Sequence, residues 1–240
     1  MGIRLRHLIF GALPVGTLCV GVLVVGLASP ASAISKGGDV QVAKAGIFLS
    51  SDFPAGFART AATPSSSAEN IKLAKGVSGC APYIALQKLT GAQPQATSPD
   101  FADESRTVSN EVDVFKSERV AADALALFAK PSMVSCLQKL FQKQIAQDPT
   151  TKGKIASVSI TLDRQDIAGL GDDSVVYEGK MEITGTDGST TEVGVGNAAV
   201  LVGRVVDDVT YLTTDAALTE VLTPAIDASV ERVRGALGSS

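Results

Sequence analysis

The sequence predicts an α+β protein: an antiparallel sheet with helices packed on one face, forming a single disulfide-stapled domain. Three observations predict it. From residue 107 onward, runs of alternating apolar and polar residues recur at strand length. Two of these runs flank Asp187-Gly188, a dipeptide suited to the positive-φ positions of a tight hairpin turn. Between and after the strands lie segments whose apolar residues repeat at helical spacing, and hairpin-linked strands with helices beside them make an antiparallel α+β fold. No internal repeat and no second composition regime interrupts residues 34–240, which read as one domain.

The elements follow in order. Residues 34–39 form a short polar lead. Ile47, Phe48, Leu49, Phe53 and Phe57 surround Ser50-Ser51-Asp52 and Pro54-Ala55-Gly56, predicting a loop or short turn that enters an edge strand. Residues 63–67 are a polar connector. Helices are expected over 68–77 and, after Pro82, to about Leu89, with a Pro-rich loop over 91–99.

Val108, Asn110, Val112 and Val114 alternate with polar neighbours, the pattern of a half-buried strand. Ser117 then caps a helix with Val120, Ala124, Leu127 and Phe128 on one face. Pro131 starts a second helix carrying Met133, Cys136, Leu137, Leu140 and Phe141 on one face, ending before Asp148-Pro149. Val158, Ile160 and Leu162 mark the next strand. Val175, Tyr177, Gly179, Met181 and Ile183 alternate against Glu178, Lys180 and Glu182, a strand with one wet face. Val193, Val195, Asn197, Ala199 and Leu201 make the return strand. Asp207-Asp208 are expected to turn it into a short last strand through Val209, Tyr211 and Leu212. Asp215 caps a final helix with Leu218, Val221, Leu222, Ala225 and Ser229 on one face, kinked or restarted at Thr223-Pro224.

Residues 1–33 carry the marks of export: Arg4 and Arg6, an apolar run over 8–28, Pro30, and Ala31-Ser32-Ala33 as the small residues that signal peptidase cuts after. The apolar run is about 21 residues, longer than a typical signal core and long enough to span a bilayer. An uncleaved anchor that attaches the chain to a membrane is therefore the alternative. Pro14 and Gly11, Gly16, Gly21 and Gly26 disfavour a permanent helix, and Ala31 and Ala33 favour cleavage before Ile34. Either outcome places the bulk of the chain outside the cytoplasm. Cys19 follows Gly16-Thr17-Leu18 inside the continuing apolar run, which is not a lipidation site.

Cleavage takes Arg4 and Arg6 from the 21 basic side chains, leaving 19 against 25 acidic ones and a net charge of −6 over 207 residues. His7, the sole histidine, leaves as well. The mature chain is thus expected to lack Ser-His-Asp and Cys-His catalysis and zinc binding through imidazole. Dispersed basic residues and negative charge argue against nucleic acid. Of the cysteines only Cys80 and Cys136 remain, and two cysteines in an exported chain pair with each other. Two buried free thiols are the alternative.

Several motifs invite chemistry, each with a plainer reading beside it. Gly194-Val195-Gly196-Asn197 has a glycine-loop look but sits within a strand with no helix after it, so close approach of a neighbour is the better account. Gly169-Leu170-Gly171-Asp172-Asp173-Ser174 lacks the oxygen spacing of a calcium loop and reads as a tight turn. The carboxylate pairs Asp163/Asp166, Asp172/Asp173 and Asp207/Asp208 suggest acid/base hydrolysis, yet adjacent acids in turns are ordinarily solvated. Ser135 and Lys139, four apart, allow a Ser-Lys hydrolase but lie on the polar side of their helix. No cofactor, metal or catalytic residue is expected.

Ser50-Ser51-Asp52-Phe53-Pro54-Ala55-Gly56-Phe57, Cys80 before a short helix, and the strand Val112-Asp113-Val114-Phe115-Lys116 form a set with Cys136 and Gly169–Ser174. In that order, over most of residues 40–235, they resemble exported actinobacterial proteins related to the extracellular sensor domain of mycobacterial serine/threonine kinases and similar envelope lipoproteins. The resemblance implies an antiparallel sheet with helices on one side and a cleft for an unknown ligand. The kinase sensor domain has two disulfides where this chain can form one. The expected function is a non-enzymatic exported envelope domain that binds a small amphiphilic ligand, or an envelope protein, in a cleft between sheet and helices. A membrane-anchored structural protein and a His-independent hydrolase are the alternatives.

Overall fold

The structure, a computed structural model, describes residues 36–61, 67–147, 153–165, 167–214 and 218–238. Ala31, Ala33, the apolar run, Asp166 and Asp215 lie outside these residues.

The elements in chain order are α1 (Lys36–Gly46), a short 3-10 turn (Ser50–Asp52), β1 (Ala58–Thr60), α2 (Ser67–Lys75), α3 (Ala81–Thr90), β2 (Gln95–Thr97), β3 (Asp100–Ala102), β4 (Arg106–Val114), α4 (Glu118–Phe128), α5 (Pro131–Gln147), β5 (Ile155–Gln165), β6 (Asp173–Gly185), β7 (Thr190–Val202), β8 (Val205–Thr213) and α6 (Leu218–Gly238). The eight strands form one sheet in the order β1-β3-β4-β8-β7-β6-β5, with β2 also on β4, and every pairing is antiparallel. The α+β antiparallel architecture and the staple are those expected from the sequence.

The coverage of the sheet goes beyond that expectation. Helices α2 to α5 pack on one face, against Ile160, Leu162, Val175, Tyr177, Val193, Val195 and Leu212. Helices α1 and α6 pack on the other, against Val108, Val112, Val114, Val200 and Val209. The chain is a helix–sheet–helix sandwich over β4 and β8, so strands there are buried on both sides. Each strand alternates its side chains between the two cores.

Local causes are visible at each join. The Ser117 hydroxyl accepts the Val120 amide and caps α4, whose Ala121, Ala124, Leu125 and Phe128 are buried. The Tyr177 hydroxyl donates to the Phe128 carbonyl at 2.7 Å, pinning the end of α4 to β6. Gly188 holds φ +82° in the β6–β7 turn, as Asp187-Gly188 predicts. Pro224 sits within a single unbroken α6.

Three expectations are revised. The polar lead and the residues after it form α1, because Val42 and Ala43 find a partner in α6. The stretch expected as loop after α3 contains β2, paired with β4. Most consequentially, β4 is not half-buried: Thr107 to Phe115 are all buried. Its second face points not to water but into the layer beneath α3 and α4.

Candidate functional site

Two antiparallel neighbours, β4 and β8, carry four carboxyls at the middle of the sheet. Glu111 stands opposite Asp208, and Val112 opposite Asp207. Strand alternation sends Glu111, Asp113 and Asp208 to the α3/α4 side and Asp207 to the α1/α6 side. All four are at most 4 % exposed. The sequence predicts Asp207-Asp208 in a solvated turn; in the structure the turn is instead Gly203-Arg204, and both aspartates lie inside the nine-residue strand β8. An apolar setting (V-V-D-D-V-T-Y-L) draws the whole segment into the sheet, and the acids go with it.

On the α1/α6 side Asp207 is fully partnered. Asn110 Nδ2 donates to Asp207 Oδ1 at 2.7 Å and to the Gly46 carbonyl at 3.0 Å, while its Oδ1 accepts the Phe48 amide. Ser229 Oγ lies 2.6 Å from both the Gly46 carbonyl and Asp207 Oδ2. Burial, opposed by the bonds from Ser229 and Asn110, lifts this carboxyl to about 6. The cluster joins α1, β4, β8 and α6 at one point.

The other side is less complete. Asn197 Nδ2 donates to Asp208 Oδ1 at 2.6 Å, and Thr97 donates to Glu111 Oε2 at 3.2 Å. Glu111 Oε1, Asp113 Oδ1, Thr90 Oγ1 and Gln87 Nε2 are buried with no hydrogen-bond partner. Burial holds Asp208 up at about 7, with the Asp207 charge adding to it. Glu111 and Asp113 are pushed well above the ordinary carboxylate range, by burial first and then by the neighbouring carboxyls.

A small cavity opens at this floor. Asp113, Asp208 and Thr90 line it with apolar walls from Leu86, Ala124, Leu125, Phe128, Ala199 and Val206. It has room for one water, about 10 Å³, and every residue that lines it is buried. Among the described residues, no trio of His, Cys, Asp or Glu is placed to hold a metal ion.

The other sequence candidates resolve as follows. Cys80, immediately before α3, and Cys136, within α5, are joined by a disulfide with a Cα–Cα distance of 4.9 Å, and both are buried. Ser135 Oγ donates to the Ser132 carbonyl, whereas Lys139 Nζ donates to the Ser78 hydroxyl and carbonyl, so the two are engaged separately on the surface. Asp172 accepts the Gly203 amide and pairs with Arg234, which ties the β5–β6 connection to the β7–β8 turn and α6. Asp163 is exposed on β5. The Gly194–Asn197 segment lies in β7 as expected, and Gly196 leaves the space occupied by the Tyr211 ring, whose hydroxyl bonds Glu178 across β7.

The Ser50–Phe57 motif is structural. Asp52 accepts the Leu49 amide and a two-pronged ion pair from Arg232, which also donates to the Ala45 and Ile47 carbonyls. Phe53 stacks between Phe57 and Phe101.

The sequence reading missed Glu111, Asp113, Gln87 and Thr90. The available signal was charge inside a β-branched run, V-S-N-E-V-D-V, where a strand wet on one side was the simpler interpretation.

No protein-family model and no curated protein matches the chain. Among solved structures it is similar to the extracellular domain of PknH from Mycobacterium tuberculosis, with a TM-score of 0.38, 11% identity, and 66% of this chain and 76% of that chain covered. Protein Ms6760 from Mycobacterium smegmatis is matched with a TM-score of 0.15, 12% identity, and 55% and 91% of the two chains covered.

Proposed function

We propose that this chain is a non-enzymatic domain of the cell envelope, exported from the cytoplasm, that binds a small amphiphilic ligand in the cleft between α3, α4 and the sheet. The observation that carries this reading is the buried, apolar-walled cavity under α3 and α4, where Thr90 and Asp113 present oxygens with no protein partner. Buried polar groups are ordinarily satisfied, and an unpartnered one in an apolar-walled cavity is suited to a ligand's polar group. The Cys80–Cys136 disulfide supports an oxidising compartment. The basic start, the apolar run over 8–28 and Ala31/Ala33 support export.

Two measurements test it. Intact mass of the protein from its host distinguishes a secreted chain beginning at Ile34 from a full-length chain anchored to the membrane by residues 8–28. A melting-temperature screen of the mature domain against lipids, cell-wall fragments and envelope extract tests ligand binding. A ligand is expected to raise the melting temperature of the wild type and not of a Leu125→Trp variant with its cleft filled. No response to any of these preparations refutes the reading.

A further inference from the structure

We infer that α3 is a pH-gated cover: it is seated on the sheet in acid and released at its Thr90 end as pH rises, while the α1/α6 layer on the other face stays closed. The inference involves no ligand, so it stands or falls apart from the ligand reading.

The two layers are attached to the sheet in different ways. On the α1/α6 side hydrogen bonds cross from strands to helices. Ser229 of α6 reaches Asp207 at 2.6 Å, and Asn110 of β4 bonds the Gly46 carbonyl and the Phe48 amide at the end of α1. On the α3 side, Thr90 Oγ1 and Gln87 Nε2 have no partner, and the Gln87 oxygen accepts from Asn70 of α2 at 3.4 Å. Glu111 Oε1 and Asp113 Oδ1 on the sheet are equally without a partner. Buried donors and acceptors that do not meet leave the closed layer weakly held.

The carboxyls beneath form a row on one face. Glu111 stands opposite Asp208, and Asp113 follows two residues along β4. Asp100 of β3 bonds Ser109 at the other end of the row. No cation faces them. On α3, Lys88 is exposed and Tyr83 packs in the apolar core; on α4, Glu118, Arg119 and Asp123 are exposed. The Lys139 and Lys143 ammonium groups of α5 bond carbonyls at the end of α2 and just after it. From β7 and β2 the nearby polar partners are the uncharged Asn197 and Thr97. Asp207 lies on the opposite face, with Arg232 acting on it.

Burial holds Asp208 at about 7 and pushes Glu111 and Asp113 well above the ordinary carboxylate range. The layer is therefore closed over neutral carboxyls in acid. As pH rises, each new charge meets other carboxyls instead of a cation, and admitting water is what solvates it. The part able to give way is the end of α3. Its start is fixed to α5 by the Cys80–Cys136 disulfide, and α4 is pinned by the Tyr177 hydroxyl on the Phe128 carbonyl. Thr90, by contrast, leads through residues 91–94 into β2, so it leaves the sheet with the disulfide as the fixed end.

The experiment is hydrogen exchange on the mature protein at pH 5.5 and pH 8.5, with rates corrected for the intrinsic pH dependence of amide exchange. Protection of amides 84–91 is expected to fall at least about tenfold further than that of amides 225–236 in α6, the mark of local opening. A variant carrying Asp113→Asn and Asp208→Asn, which keeps the side-chain shapes, is expected to remove that difference. Each single substitution, measured alongside, is expected to remove part of it. An equal fall in α3 and α6, no fall in 84–91, or a difference as large as the wild type's in both single variants overturns the inference.

Discussion

Asp208→Asn separates the charge of the buried cluster from its shape. In the folded protein the Asp208 carboxyl is held up to about 7 from its ordinary 3.8, chiefly because burial disfavours the charged form. In the unfolded chain it titrates near the ordinary value. Between these two pH values the folded state holds a proton that the unfolded state has lost, so stability falls as pH rises across the window. Below about pH 4 both states are protonated and the folded state carries no cost from this group. Above about pH 7 both are ionised and the cost is complete. At 1.36 kcal/mol per pH unit, the gap corresponds to about 4 kcal/mol lost between pH 4 and pH 8. Asparagine keeps the size of the side chain and an oxygen to accept the 2.6 Å bond from Asn197, and it cannot ionise. Urea denaturation at pH 4.5, 6 and 8 is the assay, with the slope against urea required to stay constant. The wild type is expected to lose stability steadily with pH, and Asp208→Asn to lose about 3 kcal/mol less between pH 4.5 and pH 8. Asp172, held low by the Gly203 amide and Arg234, titrates below the window and does not mask the effect. Parallel wild-type and variant curves, or a wild-type stability that rises from pH 4.5 to 8, would refute the reasoning.

Three further perturbations have defined outcomes. Reduction and alkylation of Cys80 and Cys136, 56 positions apart, releases a loop whose closure contributes about 4 kcal/mol in the chain-entropy model; the melting temperature is expected to fall by about 8–16 °C, and an unchanged melt after complete alkylation contradicts this. Arg232→Lys removes the fork that grips Asp52 and the Ala45 and Ile47 carbonyls, so about 2 kcal/mol is expected to be lost, with faster hydrogen exchange confined to residues 45–57. Gly196→Ala places a methyl 1.9 Å from Tyr211 Cζ; displacing that buried ring and its bond to Glu178 is expected to cost about 2 kcal/mol or more, and near-ultraviolet circular dichroism is expected to report the moved tyrosine.

Periodicity made much of the fold legible. Val175, Tyr177, Met181 and Ile183 alternate cleanly because the β5–β6–β7 end of the sheet is covered only by α2 to α5, leaving Lys180, Glu182 and Glu192 in water. The same rule misread β4. There Glu111 and Asp113 alternate with valines as solvated residues would, yet they are buried by α3 and α4. The side chains give the period of the strand but not what lies over each face. Helix α1 was illegible for a related reason. Lys36-Gly37-Gly38 and the few apolar residues that follow carry little intrinsic helix preference, and the helix is held by its packing on α6, about 180 residues away in the chain, and by Arg204 pairing with Asp39.

By itself the sequence determined the export signature, the absence of histidine after residue 33, the antiparallel α+β class and the two cysteines available to pair. These are local or compositional properties, set by which residues occur and how they repeat. Tertiary structure alone decided that the sheet is covered on both faces, that Asp207 and Asp208 are interior, and that Thr90 and Asp113 line one apolar-walled cavity. Those facts depend on which elements dock across the sheet, through contacts between residues tens to more than a hundred positions apart. Burial is the physical quantity that raises these four carboxyls above their ordinary range, and burial belongs to the assembled layers rather than to any segment.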